Sequence, residues 1–332
     1  MYGSVLFDLD GTLIDSAPDI AASVDAVRSS YGLEALSLAD VTAAIGDGVA
    51  NLMQRTVPGA SGDEALRRYL EHHEVHCLDA TKLYPGVREG LERLSARLPL
   101  AVVSNKPFPL THRILTGLGV AGAFKAVVGG DSGAGRKPEP GPVLAALERL
   151  ERVPWTALVV GDSPGDVAAG RAAGAATCGV TWGYRSAASL REAGADSMVE
   201  TFGAIVDLVE SAPPTVFAAV GAETFHHLAR AFYARVDGDP RLRAMFPPDL
   251  KAAAERQALF LIQFFGGPSD YSKQRGAPRL RMRHAPFRID VAAREAWLSN
   301  MRGAIDEVGI AAPARGVLER YFEHTARMLQ NA

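Results

Sequence analysis

Five short apolar runs in the first 180 residues each break off near a polar residue, and that pattern leaves few folds open. Val5-Leu6-Phe7 ends at Asp8, Leu100 to Val103 at Ser104, and Ala126-Val127-Val128 at Gly129-Gly130-Asp131. Leu158-Val159-Val160 ends at Gly161-Asp162, and Ala176 to Val180 ends near Thr181-Trp182-Gly183. Helical stretches such as Val143 to Leu150 and Asp166 to Ala173 lie between them. A strand that is apolar along its length has both faces covered, so alternation with helices predicts a parallel sheet between helical layers. Ligands of such sheets sit beyond the carboxyl ends of the strands, where Asp8, Ser104 and Asp162 are expected to gather.

Each of these residues alone has an ordinary explanation. An Asp at a strand end forms turns or caps helices, and Lys137, inside Gly-Arg-Lys-Pro, reads by itself as a solvated loop lysine. The grouping changes that. Asp8, Asp10, Asp162 and Asp166 crowded together would repel one another and raise their pKa values unless a cation sits among them. A hard divalent ion with oxygen ligands is the simplest neutraliser, and Mg²⁺ is the usual one beside phosphates.

The remainder of the 332 residues has a different composition. Residues 1–216 carry 18 Lys+Arg against 26 Asp+Glu, and 217–332 carry 17 against 12; the balances of −8 and +5 sum to −3. Nine of the thirteen Phe fall after residue 216. Ser211-Ala212-Pro213-Pro214-Thr215 marks the boundary, because two prolines cannot continue a helix. Beyond it, Phe225, Leu228, Ala229, Phe232, Tyr233 and Val236 share one helix face, and Leu250, Ala253, Gln257, Phe260 and Phe264 share another. A third helix after Asp290 aligns Ala293, Trp297, Met301 and Ile305. Tyr233, Gln257 and Trp297 place polar groups on faces that a core would want apolar, so they need partners. His284 stands in an arginine-rich segment bounded by Pro278 and Pro286, which fixes its approach; by itself it reads either as a structural histidine or as an iron ligand.

Cys77 and Cys178 are the only cysteines, a usage that fits a reducing cytoplasm rather than a disulfide framework. No apolar run approaches the roughly 20 residues of a membrane span, and the start of the chain shows no secretion signal. The basic second half carries no nucleic-acid-binding motif. The expected place is therefore the cytoplasm, with neither nucleic acid nor membrane as partner.

Four motifs in order make residues 1 to about 212 resemble the haloacid dehalogenase superfamily, and within it the phosphoglycolate phosphatase-like group. The likeness rests on VLFDLDGTLIDS (5–16), IGDGVANLM (45–53), VVSNKP (102–107), GGDSGAGRKPEPGP (129–142), VVGDSPGDVAAGRAAG (159–174) and GVTWGYRS (179–186). It implies a Rossmann-like α/β core with a parallel sheet and a helical cap over about 16–82, the cap excluding water and reading the leaving group. By resemblance Asp8 would be the nucleophile and Asp10 the acid and base. Ser104, with backbone N–H groups around Gly11 and Asn105, would hold the phosphoryl oxygens, and Lys137 would pair with the phosphate and Asp8. Asp162 would ligate Mg²⁺ with the Asp8 carboxylate and the Asp10 carbonyl, while Asp166 would orient a water at the metal. The Gly46-Asp47-Gly48 loop resembles the cap loop that faces substrate, with a plain helix-joining turn as the other reading. Within the cap the apolar spacing of Ile20, Val24 and Val27 reads as helical, and His72, His73 and His76 read as a polar helix face.

The segment from Val216 to Ala332 resembles the group II truncated globins, all-α heme proteins with a two-over-two helical sandwich. FYARV (232–236), FGGPSDYSKQRGAPRLRMRHAPFRI (265–289) and Ala296-Trp297-Leu298 carry the likeness. It implies heme b, with His284 as proximal ligand through one nitrogen and its other N–H tied to the backbone. Tyr233, Gln257 and Trp297 would hydrogen-bond a distal ligand, Phe246 and Phe260 would wall the heme, and Arg283 would meet a propionate. Phe246 departs from a common tyrosine, and Ala253 leaves the usual distal-histidine position small.

The whole-chain expectation is three parts: 1–212 phosphatase, 213–216 linker, 217–332 truncated globin. The expected activity is Mg²⁺-dependent hydrolysis of a small phosphate ester, 2-phosphoglycolate first, beside a heme that binds O₂, NO or CO. Other readings make the globin a gas sensor that regulates a phosphatase of a nucleotide, pyrophosphate or a sugar phosphate. A further one makes it an NO dioxygenase or peroxidase served by an external electron donor.

Overall fold

The computed structural model describes residues 1–60 and 62–332. The chain divides into two compact units, Tyr2–Glu210 and, with Met1, Ser211–Ala332.

The first unit starts with β1 (Ser4–Phe7), then β2 (Ile14–Asp15), and continues through four cap helices. These are α1 (Ala17–Ser30), α2 (Leu38–Ala44), α3 (Val49–Thr56) and α4 (Gly62–His76). The chain returns through β3 (Lys82–Leu83), which pairs antiparallel with β2, so a two-stranded ribbon carries the cap. Ile20, Val24 and Val27, the spacing that predicted a helix, are buried against Val41, Leu52, Met53 and Tyr69 in a core of the cap's own.

The main body alternates α5 (Val87–Ser95), β4 (Leu100–Val103), α6 (Phe108–Gly117), β5 (Phe124–Val128), α7 (Gly141–Leu150) and β6 (Ala157–Gly161). It ends with α8 (Pro164–Ala173), β7 (Ala176–Val180), α9 (Ala187–Glu192), β8 (Ser197–Val199) and α10 (Phe202–Glu210). The six-stranded sheet has the order β5-β4-β1-β6-β7-β8, parallel throughout. Alternate residues serve opposite faces: Val5 and Phe7 join one buried cluster, Leu6 the other. Both faces are covered, as the unbroken apolar strands require. β1 lies between β4 and β6, and the order reverses there, which puts Asp8, Ser104 and Asp162 side by side at the strand ends.

The second unit is helical: α11 (Val216–Asp237, interrupted at Gly221), α12 (Pro240–Arg243), α13 (Leu250–Phe264), α14 (Asp270–Arg275), α15 (Leu280–His284), α16 (Val291–Val308) and α17 (Ala314–Leu329). Side-chain oxygens start three of the long helices: Thr215 accepts from Ala218, Asp249 from Ala252, and Asp290 from Ala293. α11 packs on α13 and α16, and α16 on α17. No helix among the described residues is long and apolar enough to cross a membrane.

Candidate functional site

The ladder hydrogen bonds run one residue past the strands. The Asp8 N–H donates to the Val160 carbonyl at 2.9 Å and the Ser104 N–H to Val128 at 2.9 Å, so both side chains are held by backbone. Lys137 reaches back to this edge and is buried, not solvated. Its Nζ donates to Asp8 Oδ1 at 2.6 Å, Asp166 Oδ1 at 2.6 Å and the Val103 carbonyl at 2.8 Å. Burial works against the ammonium, but Asp166 and Asp8 outweigh it and hold it protonated. Asp8 Oδ2 takes part in no hydrogen bond among the described residues, which leaves one oxygen of that carboxylate for chemistry.

Asp8, Asp162 and Asp166 each offer a carboxylate oxygen within 4.8 Å of the others. Burial, then Asp166, pushes Asp8 well above the carboxylate range, and the same two causes push Asp162 up to about 7. Asp8 and Asp162, raised by burial and by the Asp166 charge, are donors that a hard divalent cation relieves, so they fit such an ion. Asp162 is also held in place, accepting from the Tyr184 N–H at 2.7 Å and the Thr12 hydroxyl at 3.3 Å.

The turn after β1 needs glycine at position 11. Its φ is +86°, and a Cβ there would lie 2.4 Å from Asp162 Oδ2. The Gly11 N–H, expected to face a phosphoryl group, instead donates to the Ile14 carbonyl at 2.9 Å; Gly11 contributes room rather than a donor.

Two other residues stand differently from expectation. Asp166 lies beneath Lys137 instead of facing the cleft: Oδ1 takes Lys137, and Oδ2 takes the Ser163 hydroxyl at 2.6 Å in a capping box that starts α8. Asp47 has a half-exposed carboxylate paired with Arg55, and its neighbours Gly46 and Gly48 line the cleft. Asn105 lines the cleft as expected, and its side-chain amide ties the cap loop to the core, donating to the Gly46 carbonyl at 2.9 Å and the Lys137 carbonyl at 3.0 Å.

The histidine trio also differs from a polar face. His72 and His76 stack on each other at 4.3 Å, but His73 is fully buried and stacks on Tyr69 at 5.0 Å. The Ser23 hydroxyl gives its hydrogen to the Asp19 carbonyl at 2.8 Å, so Ser23 accepts from His73 Nδ1 at 3.0 Å. His73 Nε2 is then an acceptor with no partner among the described residues. Burial, with the Lys106 charge adding, pushes its pKa down to about 3.

Sequence reasoning passed over several cleft residues. Lys106 donates to Asp10 Oδ1 at 2.8 Å, and the Ser16 hydroxyl binds the same oxygen. Burial would raise Asp10, but Lys106 and Ser16 outweigh it, and its pKa ends below the usual value. The Tyr184 hydroxyl accepts from the Ser16 and Ala17 N–H groups at the cap hinge, and Arg185 donates to the Ile45 carbonyl of the cap loop. Lys106, Tyr184 and Arg185 stand inside quoted motifs, VVSNKP and GVTWGYRS, where their neighbours drew the attention.

The helical unit holds two cavities of about 370 and 240 Å³ that share Tyr233, Phe246, Arg256, Arg283, His284 and Trp297 in their walls. His284 ends α15 with Nδ1 2.8 Å from the Leu280 carbonyl, so Nδ1 carries the hydrogen and Nε2 the lone pair. Gln257 and Phe260 line the smaller cavity, where Gln257 Oε1 is buried without a partner among the described residues. Burial pushes the Tyr233 hydroxyl up to about 12. Phe232 ties the wall together, with rings 5.3 Å from Trp297 and 6.2 Å from Phe246. An apolar slot with one fixed imidazole lone pair and an orphaned amide oxygen fits a porphyrin. Arg256, beside Gln257 on α13, was also passed over; it lines both cavities.

Comparison with known proteins separates the same two parts. The haloacid dehalogenase-like hydrolase family model matches residues 5–180. The chain belongs to the haloacid dehalogenase-like hydrolases. The bacterial-like globin model matches residues 215–331, so the hydrolase is fused to a globin region. A phosphoglycolate phosphatase of Chromobacterium violaceum is 37% identical over 217 residues, covering 63% of this chain and 96% of its own. One from Aquifex aeolicus is 41% identical over 181 residues, covering 54% and 85%. The crystal structure of a predicted phosphoglycolate phosphatase from Haemophilus somnus is 32% identical and covers 63% of this chain and 97% of its own, with a TM-score of 0.59. This haloacid dehalogenase-like hydrolase is a phosphatase, a hydrolase of phosphoric monoesters.

Proposed function

We propose that the chain hydrolyses 2-phosphoglycolate with Mg²⁺ through an aspartyl-phosphate, and that its globin region carries heme b and binds O₂, NO or CO. The domains in this reading are 1–212 and 217–332, joined by 213–216. One observation carries the hydrolase half: the buried bridge of Lys137 between Asp8 and Asp166, beside Asp162.

Asp8 Oδ2 attacks phosphorus, and the bond from phosphorus to the alcohol oxygen breaks. Asp10 acts in its protonated form, which its low pKa makes the minor one: it gives that oxygen a proton, then regains one from the water that attacks the aspartyl-phosphate, releasing phosphate and restoring Asp8. Lys137 offsets charge on the transferring group, Ser104 bonds one of its oxygens, and the cap excludes water. Asp8, Asp162 and the Asp10 carbonyl would hold Mg²⁺, which supplies charge neutralisation for the phosphoryl group. Asp166 positions Lys137.

In the globin region His284 would ligate the heme iron through Nε2, and the heme supplies reversible binding of diatomic ligands. Tyr233, Gln257 and Trp297 would donate hydrogen bonds from the far side, Phe246 and Phe260 would pack on the ring, and Arg283 would pair with a propionate. Redox turnover would need an external electron donor.

The test is an absorption spectrum of the full chain supplied with hemin, beside a phosphate-ester panel with and without Mg²⁺. The expected result is a heme band together with phosphoglycolate cleavage that chelation stops. Protein left colourless by hemin would overturn the globin half, and cleavage indifferent to chelation the hydrolase half.

A further inference from the structure

The cleft contains a second buried ammonium that phosphoryl transfer does not need. Lys137 already serves Asp8 and Asp166. Lys106, two residues past Ser104, has a side chain only 4% exposed, and Asp10 is its ion-pair partner. It shares the cleft lining with Ile20, Val49, Leu52 and Tyr69, all from cap helices. Its charge reaches His73 on α4, which puts the ammonium near the cap side of Asp10. Arg185, the other cation of this lining, is engaged with the Ile45 carbonyl. This cavity is the smallest of those described, about 50 Å³ against 370 and 240 Å³ in the helical unit.

We infer that Lys106 selects the leaving group, binding a carboxylate on a short alcohol and so favouring small acidic phosphate esters over neutral ones of the same size. The inference rests on the phosphatase reading above. Both hydrogen bonds to Asp10 fall on Oδ1, which leaves Oδ2 for the ester oxygen, and Asp10 Oδ1 is the one acceptor of Lys106 Nζ among the described residues. A carboxylate on the leaving group gives the ammonium a second partner. A neutral leaving group offers none, so Lys106 either stays on Asp10 or becomes a buried charge without a counterion, which is costly. A charge-assisted hydrogen bond of this kind is worth about 10- to 100-fold in kcat/KM.

The test compares 2-phosphoglycolate with 2-hydroxyethyl phosphate, its neutral counterpart, on the full chain with Mg²⁺. Wild type should favour the acidic ester by at least about tenfold in kcat/KM. Lys106→Met should collapse that ratio, mainly by raising KM for phosphoglycolate, and Lys106→Arg should restore part of it. A wild-type ratio near one, or a ratio unchanged in Lys106→Met, would overturn the inference; the first reading needs no folded variant. Failure of the phosphatase reading looks different: neither ester would be cleaved, nor p-nitrophenyl phosphate.

Discussion

Asp8 and Lys137 meet inside the protein, where removing one partner leaves the other as an uncompensated charge. Lys137→Met should therefore destabilise the first unit by about 3–5 kcal/mol in metal-free buffer, read as a shift in its denaturant midpoint. His73 has the opposite liability, being buried neutral. Its folded pKa of about 3 lies below the 6.5 of a free imidazole. The unfolded chain thus binds the proton first, and stability falls as pH drops from about 6.5 toward 3, by up to about 1.4 kcal/mol per pH unit. His73→Gln should flatten that slope in hydrogen-exchange protection of α1 and α4; an equal slope in both proteins would remove His73 as its source. On the globin side, Tyr233→Phe should speed O₂ release at least about tenfold, about 1.4 kcal/mol, in stopped-flow absorbance. An unchanged rate would take Tyr233 out of the pocket.

Among elements, the turn from β1 to β2 has the least freedom. Gly11→Ala forces a side chain into positive φ and against Asp162, so it should weaken Mg²⁺ binding at least about tenfold, measured by calorimetry. Five of the sheet's six strands were legible because each is short, largely apolar and followed by a polar residue, and a parallel sheet collects such ends at one edge; β8 was not read. The cap helices were legible by spacing, but their inward faces were not. His73 looked like part of a solvated face because only the fold brings Ser23 of α1 against it. Asp47 looked like a cleft residue because its loop does line the cleft, yet Arg55 one helix on draws the carboxylate away. Lys106 was hidden for the same reason: its partner Asp10 is 96 positions distant, and no local pattern encodes that pair.

At the scale of the molecule, the two chemistries use separate residues. Asp8→Asn should abolish ester cleavage and leave the heme band intact, whereas His284→Ala should lose the band and keep cleavage. Loss of both activities in either variant would contradict that separation. The sheet order carries one more consequence, for how the chain is made. β1 leaves the ribosome before its partners β4 and β6, which begin at Leu100 and Ala157. At typical synthesis speeds of roughly 5–20 residues per second, the 150 positions from Phe7 to Ala157 take roughly 8–30 seconds. For that interval one edge of β1 stays open even after β4 has joined the other, so the growing chain carries an exposed apolar edge that a nascent-chain chaperone would cover.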